Sequence, residues 1–131
     1  RNMIHMGDSV LKRYAPMAHI RYTNERVLMS LACLMELDNY GLETENLDSL
    51  ESLGWVDYKI APLGGSIVMV HYRKDRDDQD VLVKLLLTNR EAGLPLQTDC
   101  APYYHWNDVK RYYLRKLYRY ENERFNEKKA K

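Results

Sequence analysis

The chain has 131 residues, 45% of them hydrophobic and 30% charged, which is enough apolar material for one packed domain and too little length for two. Its 20 basic and 19 acidic residues leave a net charge of +1, so no bulk field argues for nucleic acid or an anionic membrane surface as partner. The longest apolar runs fall far short of a membrane span. Residue 1 is Arg and no signal peptide is present, so the chain reads as beginning inside something longer.

Residues 2–14 place Met3, Met6, Val10 and Tyr14 at three- and four-residue intervals, the pattern of an amphipathic helix. Gly7 weakens that helix by about 1 kcal/mol relative to Ala, and Pro16 closes it. Ala18 to Tyr22, AHIRY, alternates and predicts a short strand. A second helix is expected from Glu25 to Leu37, with Val27, Leu28, Leu31, Leu34 and Met35 on a wide apolar face. Asn24 is its N-cap, and Gly41, after Asn39 and Tyr40, is its C-terminal stop. Residues 42–54 read as a short helix or loop that Asn46 caps and Gly54 ends.

PLGGS, residues 62–66, is a glycine turn and a weak phosphate cradle, because such loops open a helix and this one precedes a strand. Ile67, Met69, His71 and Arg73 then alternate with Ser66, Val68, Val70 and Tyr72. DRDDQD, 75–80, is a charged turn into a second strand, VLVKLLL, 81–87. Together they predict an antiparallel hairpin whose two faces both need cover. TNREAGLPL is expected to leave the sheet. A long helix follows from Asn107 to Phe125, with Val109, Tyr113, Leu117 and Tyr120 on one face, and residues 126–131 read as a disordered tail. KRYYLRKLYRY interleaves basic and aromatic residues as nucleic-acid binders do, but the helical spacing of its aromatics assigns them to a packed face. Helices before and after strands define an α/β or α+β class, with a thin sheet whose edge calls for strands from elsewhere.

Candidate chemistry is sparse. The sequence has no Gly-rich phosphate loop, no zinc spacing and no nucleophile elbow. Cys33 and Cys100 make no metal motif; Cys33 reads as a small core residue, and a single disulfide is open but not established. His5, His19, His71 and His105 are scattered and read as surface or core residues. Eleven tyrosines against one phenylalanine imply large side chains whose hydroxyls reach water or a polar partner. The stretch that stands out is Thr23-Asn24-Glu25, where a strand-like segment meets a helix start. It is open to three readings: a catalytic pair, an altered descendant of one, or a helix cap.

A distributed pattern over roughly residues 3–117 resembles the C-terminal portion of the histidine acid phosphatases, nearest to the multiple inositol polyphosphate phosphatase (phytase-like) group. LKRY leads into AHIRYTNERVLMSLACLM, similar to the family's Ala-Asp-Leu-Arg-Phe-Gly-His-Asp turn and Leu-rich helix. LGWVDYKIAPLGGSIVMVHYRK resembles its tryptophan, proline turn and long strand. VLVKLLLTNREAGLPL resembles its Leu-Val-Lys-x-Leu-Leu-Asn-Glu-Arg-Glu strand, and APYYHWNDVKRYYLRKL its closing helix. The resemblance implies a partial histidine-phosphatase fold over residues 1–125 and hydrolysis of phosphate monoesters of the inositol phosphate class through a phosphohistidine. It implies no metal or organic cofactor, and a periplasmic or secreted place. The nucleophile's Arg-His-Gly motif is missing, so this chain alone is expected to be inactive. Glu25 stands where the family has its proton donor, and Asn24 where it has a phosphate-contacting histidine, with Thr23 in place of glycine. A shift of one residue would instead place Thr23 at the histidine, with Glu25 still the acid. Two rival readings are an impaired pseudo-phosphatase that binds phosphorylated ligands, and an interaction module that uses an exposed tyrosine surface from Tyr112 to Tyr120. Self-association of the chain is a further expectation.

Overall fold

A computed structural model of the chain describes residues 1–12, 18–75 and 77–129. The expected helix positions Tyr14 and Pro16, and Arg76 of the charged turn, lie outside them. Among the described residues the fold is mixed α/β, with four α-helices beside an antiparallel sheet of four strands.

The sheet is built around one strand. Strand β1 (Ile67–Tyr72) pairs antiparallel with β2 (Leu82–Leu87) in the register Ile67↔Leu87 to Tyr72↔Leu82, the predicted hairpin. The residues after Leu87 do not leave the sheet as expected. Thr88 and Asn89, at φ +50° and +64°, form a two-residue turn, and Arg90–Ala92 returns as β3 with Leu85↔Ala92 and Leu87↔Arg90 in register. Two consecutive positive φ values match the right-handed twist of the flanking strands. A two-residue strand β4, Tyr104–His105, pairs beside Leu82 and Val83. β2 therefore has partners on both sides, and all four strands fall within residues 67–105.

AHIRY is not a strand. Residues 18–24 have no regular structure and every one of them is exposed. A strand exists through ladder hydrogen bonds to a neighbour, and among the described residues the sheet places none beside this segment. Arg21, which reaches the sulfur of Met6, ties it to the body.

Val83, Leu85 and Leu87 are fully buried on one face of β2, as their alternation predicts. Against that face pack Ala32, Met35, Leu37, Ile60 and Leu94, with Trp106, Val109, Tyr113 and Leu117 of the last helix. That helix, α4 (Trp106–Lys129), starts one residue before the expected boundary and continues four past it. Tyr120 does not join the packed face, being 60% exposed.

The first helix, α1 (Asn2–Lys12), buries Ile4 and Gly7 rather than the Met3–Met6 line. Its glycine is the reason. A Cβ on Gly7 would stand 2.8 Å from Cζ2 of Trp106 and 3.3 Å from Nε2 of His71. The missing side chain lets the helix lie on the indole, whose Nε1–H donates to Asp8 at 3.0 Å while Lys110 donates to the same oxygen at 3.1 Å. With Arg1 paired to Glu121 at 2.8 Å, α1 runs antiparallel along α4.

Helix α2 (Glu25–Leu34) ends before the expected Leu37, because Glu36 takes a left-handed conformation at φ +55°. Side chains from α4 hold that break. Tyr112 donates to Glu36 Oε2, Lys116 donates to Glu36 Oε1 at 2.7 Å and to Leu34 O at 2.9 Å, and Tyr113 donates to Met35 O at 2.7 Å. They satisfy carbonyls that a helix end leaves open. Burial alone would raise the Glu36 pKa, but the Lys116 and Tyr112 donors outweigh it and hold it below the usual range. The tyrosine excess thus has a use: Tyr104, Tyr112 and Tyr113 carry bulk inward and set a hydroxyl on a polar partner. Past η-type turns at Leu37–Asn39 and Leu47–Ser49, the latter capped by Asn46, a one-turn helix α3 (Asp57–Ile60) buries Ile60. The glycine turn closes with Gly65 N–H donating to Pro62 O at 2.8 Å, and it leads into a strand.

Candidate functional site

Thr23, Asn24 and Glu25 sit together at the N-terminus of α2, all exposed. Asn24 is the cap: at φ −88° and ψ 167° its Oδ1 accepts the Val27 N–H at 3.1 Å. The cap uses Oδ1 alone, so the amide NH2 keeps its donor capacity. Glu25 begins the first turn, where four backbone N–H groups and the helix dipole favour negative charge. Among the described residues its carboxylate has no hydrogen-bond or ion-pair partner. The helix below is only half covered, since Val27 is 52% and Leu34 57% exposed although both belong to its expected apolar face.

A groove of about 500 Å³ lies elsewhere, between α1, the loop before β2 and the start of α4. Asp8, Lys12, Arg73, Asp78 and Lys110 line it, and none of the three candidate residues does. Its charges are largely engaged: Lys110 is paired to Asp8, and Arg73 donates to Leu11 O at 2.7 Å. Burial would raise the Asp8 pKa, but donation from Trp106 and Lys110 outweighs it and holds the group ionised. His71, beside this groove, packs edge-on against Trp106 at 4.6 Å, and burial lowers its pKa. Its Nε2 is buried with no hydrogen-bond partner among the described residues.

The sequence offered no cluster of metal-ligating residues, yet the fold makes one. Asp99, Cys100 and His105 bring one ligand atom each to within 4.8 Å of one another. Both cysteines are free thiols. Asp99 and Cys100 lie in a loop and His105 in the two-residue strand β4, and their spacing in the chain matches no standard zinc motif. Among the described residues no helix is long and apolar enough to cross a membrane. Neither the protein-family models nor the curated proteins contain a match to this chain.

Proposed function

We propose that this chain supplies the proton-donor side of a phosphomonoester hydrolase of the histidine acid phosphatase type, acting on inositol-phosphate-class esters. The histidine nucleophile comes from outside these 131 residues. Glu25 protonates the leaving alkoxide, and Asn24 and Thr23 donate to the phosphoryl oxygens. The observation that carries this reading is the trio at the mouth of α2: a carboxylate with no partner among the described residues, next to an amide that caps through its oxygen alone, at the positive end of a helix. A phosphate placed there meets aligned N–H groups. The order of elements, with a helix after the extended segment, then the hairpin, then a long closing helix, follows the order of the resemblance.

Capping and catalysis are compatible here, because they use different atoms of Asn24. The reaction needs a covalent phosphohistidine, so the test is chemical. A longer form of the protein carrying Arg-His-Gly should take up a base-stable, acid-labile phosphoryl label from a phosphate monoester, and the 131-residue chain alone should take up none. A longer form with that motif and no such label defeats the hydrolase reading and leaves ligand binding without turnover.

The interaction-module reading rests on Tyr118, Tyr120 and Phe125, exposed by 67%, 60% and 58% along the outer half of α4. The surface is shorter than the stretch from Tyr112, because Tyr112 and Tyr113 are tied to Glu36 and Met35.

A further inference from the structure

The approach to β2, the loop before β4 and β4 itself converge on one imidazole. His105 is fixed by β4 pairing opposite Leu82. Its Nδ1 stands 2.7 Å from Asp80 Oδ1, and its Nε2 stands 3.1 Å from Asp99 Oδ1 and 3.9 Å from Cys100 Sγ. Cys100 is half-buried and its loop is ordered by its own bonds: Thr98 Oγ1 donates to Tyr103 O at 2.8 Å, and Tyr103 N–H donates to Cys100 O at 2.9 Å.

We propose that Asp99, Cys100 and His105, with Asp80 behind the imidazole, form a binding site for a zinc-class divalent cation. His105 Nε2, the Cys100 thiolate and an Asp99 carboxylate oxygen are the ligands, and a fourth position faces solvent. The donor set is the nitrogen, sulfur and oxygen mixture that zinc takes. Ligand atoms on one tetrahedral zinc stand roughly 3.3–3.6 Å apart, given bond lengths of about 2.0–2.3 Å. The two separations from His105 Nε2, 3.1 and 3.9 Å, straddle that range, and all three ligand atoms lie within 4.8 Å of one another, so rotation of the Asp99 and Cys100 side chains would bring the set onto one ion. Asp80 supplies the second half of the arrangement. A metal-bound imidazole donates its other N–H to a carboxylate, which fixes the tautomer and the ring, and Asp80 holds that place. A nucleophilic thiol would need Nε2 for itself, whereas here a carboxylate stands nearer to Nε2 than the sulfur does. The arrangement is therefore not a thiol–base pair. All three ligands fall within 99–105, so the ion would close a short loop against the edge of the sheet.

The test uses the reduced 131-residue chain and cobalt(II) chloride, with zinc chloride as competitor. The expected result is saturable one-to-one uptake with a thiolate-to-cobalt charge-transfer band, bleached by zinc, and slower alkylation of Cys100 when zinc is present. Cys100→Ser should abolish the band and Cys33→Ser should keep it. Asp80→Asn, which touches no ligand atom, should weaken binding about 10–100-fold, and Asp99→Asn should weaken it as well. Because His105→Ala could disturb β4, these exposed-loop variants decide. No saturable uptake by the unaltered chain, a band that survives Cys100→Ser, or unchanged affinity in both Asp80→Asn and Asp99→Asn would overturn the site.

Discussion

Residues 18–22 and β2 are written in similar ink and end in opposite states. Both are short apolar-rich runs. In β2, Val83, Leu85 and Leu87 are 0% exposed, while Ile20 and Tyr22 of the first run are 73% and 93% exposed. What separates them is company. β2 has β1, β3 and β4 beside it and α4 over one face, whereas the first run has no strand beside it among the described residues. A β pattern states what a segment would do with a partner, and the partner is a separate fact. The exposed run leads straight into the three candidate residues, so this region has little to lose in stability and, under the proposed function, most to lose in activity.

The largest expected effect tests that division from the activity side. In a longer form that holds the nucleophile, Glu25→Gln should lower turnover of an inositol phosphate by about 10²–10⁴-fold, the usual worth of a general acid. It should lower turnover of an aryl phosphate much less, because a nitrophenolate leaves without a proton. Equal losses on both substrates, or none, would remove Glu25 from the role. Asn24→His should raise both rates together by up to about 10²–10³-fold if a well-aimed charged donor is restored. It should also cost about 1 kcal/mol in thermal or urea stability through the lost cap.

The second test contrasts the two regions directly. Leu85→Ala should destabilise by about 2–5 kcal/mol in urea unfolding, and Ile20→Ala should stay within about 0.5 kcal/mol. Comparable losses at both positions would mean that residues 18–22 find a partner in solution, including a second copy of the chain, and sedimentation would reveal it.

Gly7→Ala comes next. Alanine improves helix propensity by about 1 kcal/mol, but the new Cβ meets the Trp106 ring at 2.8 Å. Overpacking of this kind costs about 1–3 kcal/mol, so the variant should be less stable by urea midpoint. A more stable variant would show that α1 can lift from the indole freely.

The smallest effect is the pH response of His71. Burial holds its pKa below the ordinary 6.5, while the facing Asp8 charge partly opposes this. The unfolded chain therefore binds the proton first. The contribution is complete above about pH 6.5 and is lost as the pH falls below it. Urea midpoints should drop between about pH 7 and 5, and the drop should be shallower in His71→Gln.

Where local chemistry decides, the sequence was legible. The Asn24 and Asn46 caps, the β1–β2 antiparallel hairpin and the buried stripe of β2 follow from side chains close in the chain. Where distant chemistry decides, it was not. α2 stops early because residues 112 and 116 hold Glu36, more than seventy positions away. The Thr88–Asn89 turn carried no glycine, so Asn89 was the sole local signal for β3. At the candidate site, the position of Thr23, Asn24 and Glu25 at a helix mouth was readable, while the exposure of the segment feeding them was not. The Asp80–His105 contact joins residues 25 apart through strand pairing and left no trace in spacing.

The contact between α1 and α4 also has a temporal side. Asp8 meets Trp106 and Lys110 across 98 and 102 positions. On the ribosome, α1 emerges 98 residues ahead of the indole its Asp8 bonds to. Closing so long a loop adds only about 0.6 kcal/mol per doubling of its length, so the delay is one of order rather than of energy. Until Trp106 leaves the exit tunnel, the Gly7 face of α1 lacks the ring it packs on.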